Sequence, residues 1–156
     1  MSDIQKIIDH LRDRGETLSV AESLTGGGLG AHITSVPGAS DVFLGGVIAY
    51  NETVKQSLLH VPGAMIEEFS VVSEEVAQAM ASAARAATGA TWAIATTGVA
   101  GPGPSDGLAA GTVWVAIEGP TPSTIALELQ GGREEVRNAT ISSAISAFSR
   151  ILSTRT

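Results

Sequence analysis

The sequence predicts an α/β protein: a single-domain, three-layer α/β/α sandwich on a mostly parallel, mixed sheet. Three observations carry this. Segments of helical periodicity alternate with short apolar runs, the order that builds a parallel sheet with helices on both faces. Late in the chain two apolar runs are separated only by Gly119-Pro120-Thr121-Pro122, which adds an antiparallel pair. Finally, 156 residues that are 44% hydrophobic but only 4% aromatic make one core packed from Ala, Val, Ile and Leu. No repeat or linker divides the chain, so residues 1–156 are read as one domain.

Each element has a local reason. Ile4, Ile7, Ile8 and Leu11 fall at i, i+3, i+4, i+7 and Gly15 follows as a stop, so 2–14 is an amphipathic helix. Residues 17–21 are a short apolar strand. Glu22-Ser23-Leu24-Thr25-Gly26-Gly27-Gly28 then turns into a helix that ends before Pro37-Gly38. Residues 42–50 form the next strand, and Asn51 caps a short helix holding Lys55, Leu58 and Leu59. Pro62 opens another helix through Phe69. Ser73, Glu74 and Glu75 start a helix whose buried stripe is Val76, Met80, Ala83, Ala84 and Ala87, closed by Gly89. A buried strand at 91–97 leads into a glycine- and proline-rich loop at 98–111, long enough in a compact domain to suggest a functional role. Strands at 112–118 and 124–130 precede a last helix after Gly131-Gly132, spaced by Ile141, Ala144, Ile145, Phe148, Ile151 and Leu152.

Composition narrows the function. Nine Lys and Arg against sixteen Asp and Glu give a net charge of −7, the wrong sign for covering nucleic-acid phosphates. There is no cysteine, which removes disulfides, thiolate metal sites and cysteine nucleophiles. The first residues are too charged for a signal peptide, and no apolar run approaches the ~20 residues of a membrane span, so the expectation is a soluble cytoplasmic protein. Neither a P-loop nor convincing metal-ligand spacing occurs, so no metal and no cofactor are expected.

Three groups of residues carry possible chemistry. Ser23 sits between a strand end and a glycine-rich helix start, where converging amides and the helix dipole favour negative charge and can form an oxyanion hole; the amides of Gly26 to Gly28 are the fallback for a phosphate not held by arginine. Taken alone, S-x-T-G-G fits a helix cap better than a catalytic turn. His10, His32 and His60 lack an acidic or glycine-rich setting, so the base for a serine is sought among the two lysines. Lys6 lies on the first helix. Lys55 follows a strand ending in Tyr50 and reaches the sheet edge of Ser23 if the two strands are parallel neighbours. The third group, Arg133 and Arg137, shares one face at the start of the last helix, where cations oppose the dipole unless an anion binds or Glu134 and Glu135 neutralise them. Gly26-Gly27-Gly28-Leu29-Gly30-Ala31 also fits a loose dinucleotide turn with Glu52 downstream, but the chain leaves little room for a substrate domain.

Beyond these readings, AESLTGGGLGAHITSVPGASDVFLGGVIAYNETVK, VSEEVAQAMA, TTGVAGP, GTVWVAI and GGREEVRNA occur in that order. Together they resemble the C-terminal domain of the competence/damage-inducible CinA family, which includes stand-alone nicotinamide-nucleotide amidases. The resemblance runs from about Leu18 to Leu152. It does not extend to the molybdopterin-binding-like domain of full-length CinA, to which nothing here is assigned. It implies hydrolysis of the carboxamide of nicotinamide mononucleotide to nicotinate mononucleotide and ammonia, with Ser23 as nucleophile, Lys55 as its base and Tyr50 as a third catalytic residue. It further implies a substrate site of Thr25, Gly26, Gly27, Thr97, Gly98, Ala100 and Gly101, with Arg133 and Arg137 for the nucleotide phosphate. The partners expected are the small-molecule nucleotide and further copies of the chain in a homo-oligomer, not nucleic acid or membrane. The loop at 103–110 departs from the family pattern, which bears on substrate choice. A non-catalytic nucleotide-binding or partner module of the same family is the alternative.

Overall fold

Local signals set the element boundaries in the computed structural model, which describes residues 2–155. Helix α1 (Asp3–Arg14) begins where Ser2 Oγ accepts the Gln5 amide and ends at Gly15, whose φ of +66° suits glycine. Strand β1 is Leu18–Glu22 and is buried throughout, one residue further than the apolar run indicates. Helix α2 (Gly28–Ile33) is shorter than expected, because Thr34 Oγ1 turns back onto the carbonyls of Gly30 and Ala31, both at 3.1 Å. Strand β2 is Phe43–Ile48, short of Tyr50. Helix α3 (Glu52–Ser57) starts at Asn51, whose Oδ1 accepts the Thr53 amide at 2.7 Å, and α4 is Gly63–Phe69. Helix α5 (Glu74–Thr88) is capped by Ser73 and closed by Gly89. Its buried stripe is Val76, Ala77, Met80, Ala81 and Ala84, so Ala87 faces solvent and Ala83 is half-buried, correcting the predicted stripe. Strands β3 (Trp92–Gly98), β4 (Thr112–Glu118) and β5 (Ser123–Glu128) precede α6 (Arg133–Ser153).

The five strands lie in the order β2-β1-β3-β4-β5. β1 pairs in parallel with β2 and β3, and the β3/β4 and β4/β5 ladders are antiparallel, so β4 alone runs against the others. The sheet is therefore mixed but mostly parallel in direction.

Its two faces have different residue sizes. Val20, Trp92, Ile94, Val113, Val115 and Ile117 pack under α1, α2 and α6, with Trp92 edge-on to Phe148 at 5.2 Å between ring centroids. The other face presents Ala21, Ala93, Ala95 and Ala116, against which α5 lays Ala77, Ala81 and Ala84. Small residues on both sides let α5 sit close to the sheet.

From β1 the chain passes to β2 on one side and later to β3 on the other. The ends of β1 and β3 thus form the switch point where open α/β sheets place their ligand crevices. Glu22 aligns with Ile48 and Thr96 there, so the segments following β1, β2 and β3 meet at one edge.

Candidate active site

Ser23 is the first residue past β1, and its amide donates to Thr96 O at 3.0 Å, extending the ladder by one bond. The turn beyond it is tied on two sides. Thr25 Oγ1 meets Thr96 Oγ1 at 2.8 Å, while the Glu22 carboxylate accepts the amides of Gly27 (3.2 Å), Leu29 (2.8 Å) and Gly30 (2.9 Å).

The Asn51 cap fixes the start of α3 so that Lys55 points inward, with only 2% of its surface exposed. Its Nζ donates to Ser23 Oγ at 3.0 Å, Ala49 O at 2.9 Å and Tyr50 O at 3.4 Å. No carboxylate lies within 4 Å of it among the described residues. Burial draws the ammonium from 10.5 to about 8, and the charge of Glu52 opposes this only in part.

Ser23 and Lys55 open onto a cavity of about 360 Å³. Thr97, Gly98, Ala100 and Gly101 line it, as do Tyr50 and Arg133. Thr97 Oγ1 donates to Val71 O at 2.8 Å and so holds the 70–73 segment against the cavity. Gly98 has no room for a side chain, since a Cβ there would lie 2.6 Å from Val113 Cγ2. Across the mouth, Arg133 donates to Gly101 O at 2.7 Å and to Tyr50 Oη at 2.5 Å. The phenol of Tyr50 is thus taken up by arginine, and Tyr50 touches Lys55 through its carbonyl. A larger open groove of about 780 Å³ along α1, α2 and α6 contains neither Ser23 nor Lys55.

Four residues assigned to the substrate lie outside this lining: Thr25, Gly26, Gly27 and Arg137. Thr25 is fully buried against Thr96. The expectation that the amides of Gly26 to Gly28 are open to an anion is corrected. Gly26 donates to Ser23 O at 3.0 Å, Gly28 to Thr25 O at 2.8 Å, and Gly27 to Glu22. Leu24 and Thr25 are the turn amides with no acceptor among the described residues. Arg137 donates to Thr25 O at 3.3 Å, and its buried Nε has no partner among the described residues. Glu134 and Glu135 form no ion pair with either arginine; Glu135 instead accepts the Gly132 amide at 3.0 Å.

Glu22 is the residue that sequence reasoning missed. The available signal was an acid closing an apolar strand immediately before a run of glycines. Among the described residues no group of three or more His, Asp or Glu is placed to hold a metal ion, and no helix is long and apolar enough to cross a membrane.

The model of the CinA C-terminal domain matches residues 2–152. A CinA-like protein of Parasynechococcus marenigrum is 47% identical over 146 residues, covering 91% of this chain and 35% of that protein. The chain spans about a third of the length of the curated relatives it matches. The crystal structure of competence damage-inducible protein A from Klebsiella pneumoniae superposes with a TM-score of 0.93 at 33% identity, covering 97% of this chain and 95% of that one. The competence/damage-inducible protein CihA of Agrobacterium tumefaciens gives 0.91 at 30% identity, over 98% and 97%.

Proposed function

The chain belongs to the CinA C-terminal domain family, and on that premise we propose that it hydrolyses the carboxamide of nicotinamide mononucleotide, with Ser23 as nucleophile and Lys55 as general base. The observation that carries this reading is the 3.0 Å contact between Lys55 Nζ and Ser23 Oγ inside a cavity, with the lysine drawn down to about 8. A neutral amine keeps two N–H groups for Ala49 O and Tyr50 O and turns its lone pair toward Ser23, so the same contact reverses and Ser23 Oγ donates.

Lys55 then takes the Ser23 proton as Oγ attacks the amide carbon. The Leu24 amide, at the cavity wall directly after the nucleophile and with no acceptor among the described residues, is the donor left for the oxyanion. Collapse breaks the C–N bond, Lys55 returns the proton to the departing ammonia, and water repeats the cycle on the acyl ester to release nicotinate mononucleotide. Arg133 is the arginine that lines the cavity, and it is the cation available to the phosphate once Lys55 serves as base. About 360 Å³ falls at the small end of the ~300–1,000 Å³ typical of small-ligand sites.

Ammonia release from nicotinamide mononucleotide by the purified chain tests this. Ser23→Ala is expected to lose several orders of magnitude in turnover while remaining folded and binding the substrate. A folded variant losing less than about tenfold would overturn the nucleophile, and a parent chain that binds without turnover would favour the non-catalytic module.

A further inference from the structure

A serine between a strand and a glycine-rich helix is ordinarily spent as that helix's cap, its oxygen accepting an amide two or three residues on. Here it is not. Neither Ser23 nor Thr25 caps α2, and Gly27, at the cap position, has no side chain to do so. Glu22, from inside β1, takes over that work.

Alternation along β1 sends Glu22 to the same face as Val20, under α2, where it is 1% exposed. Its two oxygens accept amides five, seven and eight residues further on, with no cation within 4 Å among the described residues. Burying a carboxylate is costly unless charged-acceptor bonds offset it, and three such bonds meet that requirement. The bond from Gly27 closes residues 22–27 into a ring whose second member is Ser23, and the Thr25–Thr96 and Ser23–Thr96 contacts pin the ring to β3. The turn is therefore held from both sides while the Ser23 hydroxyl is left for Lys55.

We propose that Glu22 is the positioning residue of the nucleophile: by capping α2 from the preceding strand it frees the Ser23 hydroxyl and fixes it within reach of Lys55. This rests on the reading of Ser23 as nucleophile. Glutamine in its place keeps the shape but turns an NH₂ donor toward backbone donors, so the ring loosens. Gly30→Ala is the milder intervention, since its Cβ would lie 3.3 Å from Glu22 Oε2 and force the carboxylate to shift while favouring the helix.

The probe is a small sulfonyl fluoride, from which Ser23 Oγ displaces fluoride to form an O–S bond; the rate is followed by intact mass and the position by peptide mapping. The parent chain is expected to label at Ser23 with a rate rising through pH 8. Glu22→Gln should lower the limiting rate by about tenfold or more, and Gly30→Ala by about two- to fivefold. Half-saturating probe concentration and the pH midpoint should stay unchanged, because Lys55 keeps its surroundings. A Glu22→Gln chain that labels at the parental rate overturns the proposal, as does a loss confined to half-saturation or accompanied by a displaced midpoint. If Glu22→Gln does not fold, Gly30→Ala decides, and a parental rate there overturns it. A parent chain that fails to label at Ser23 removes the nucleophile and this inference together.

Discussion

At the residue scale the consequential choice is a lysine buried without a counter-charge. With the ammonium drawn to about 8, about a tenth of the molecules hold a neutral amine at pH 7, against about one in three thousand for an ordinary lysine. Turnover limited by this base should rise through pH 8, measured as kcat/KM against pH. Lys55→Arg should be as inactive as Lys55→Ala, because a guanidinium keeps its proton at any working pH. The same shift acts on stability. The folded value lies below the unfolded one, so between about 8 and 10.5 the unfolded chain binds more protons and stability rises with pH; below 8 the cost of the buried charge is constant. The stability difference between the parent and Lys55→Met, from urea unfolding, should therefore grow by about 3 kcal/mol in the parent's favour across that window. The place of Lys55 at the sheet edge of Ser23 was legible in the sequence, because a helix starting at Asn51 follows a strand; its burial was not, since a lone lysine on a short helix is ordinarily exposed. Glu22 was not, since an acid at a strand end is ordinarily solvated and only the packing of α2 over this face of β1 shows that this one is roofed.

At the scale of elements, the alanine face explains why α5 takes the residues it does. Its cap, its acidic first turn and its closing glycine were all readable in sequence; its exact stripe was not, because one face buries residues from both sides of the predicted line. With Ala81 and Ala84 set against Ala21, Ala93, Ala95 and Ala116, added volume has nowhere to go. Ala81→Leu should cost about 1–3 kcal/mol in urea unfolding, whereas Met80→Leu should cost under about 1.5 kcal/mol. The cavity wall is held by a different device. The Ser70 hydroxyl donates to the Asp106 carboxylate and accepts from the Val72 amide, clasping the loop after β3 to the segment before α5. Both residues sit at positive φ, 81° and 52°, a conformation that costs about 1–3 kcal/mol each for a residue with a side chain and persists where surrounding bonds enforce it. The Thr97–Val71 bond supports the same wall. Asp106→Ala should release the loop and raise KM for the proposed amide substrate severalfold with little change in kcat, a split that steady-state kinetics reads directly.

At the scale of the molecule, topology and charge meet at one end of the sheet. Alternating helices and strands revealed the class of fold from sequence, but the crevice depends on strand order, which no local pattern encodes: β1 lies between β2 and β3, and only that order brings Ser23, Lys55 and Thr97 together. A chain of net charge −7 repels anions at a distance, so an anionic substrate needs local cations. The amides of Gly26 to Gly28 are already committed within the turn, so the proposed phosphate site falls to Arg133 at the cavity mouth and to Arg137, outside the lining beside the turn. Arg133 spends its bonds on two neutral oxygens, Tyr50 Oη and Gly101 O, and Arg137 Nε has no partner among the described residues, so neither charge is compensated by a carboxylate. An arriving phosphate exchanges neutral acceptors for a charged one, the stronger bond. Replacing either arginine with alanine should weaken binding of nicotinamide mononucleotide by about 1.5–3 kcal/mol, or about 10- to 150-fold in Kd, and hardly change hydrolysis of the unphosphorylated riboside. Calorimetry on the Ser23→Ala background separates binding from turnover. Equal losses on nucleotide and riboside would instead show that Arg133 serves to strap Tyr50 to Gly101 and Arg137 to hold the Thr25 carbonyl, with the phosphate held by neither.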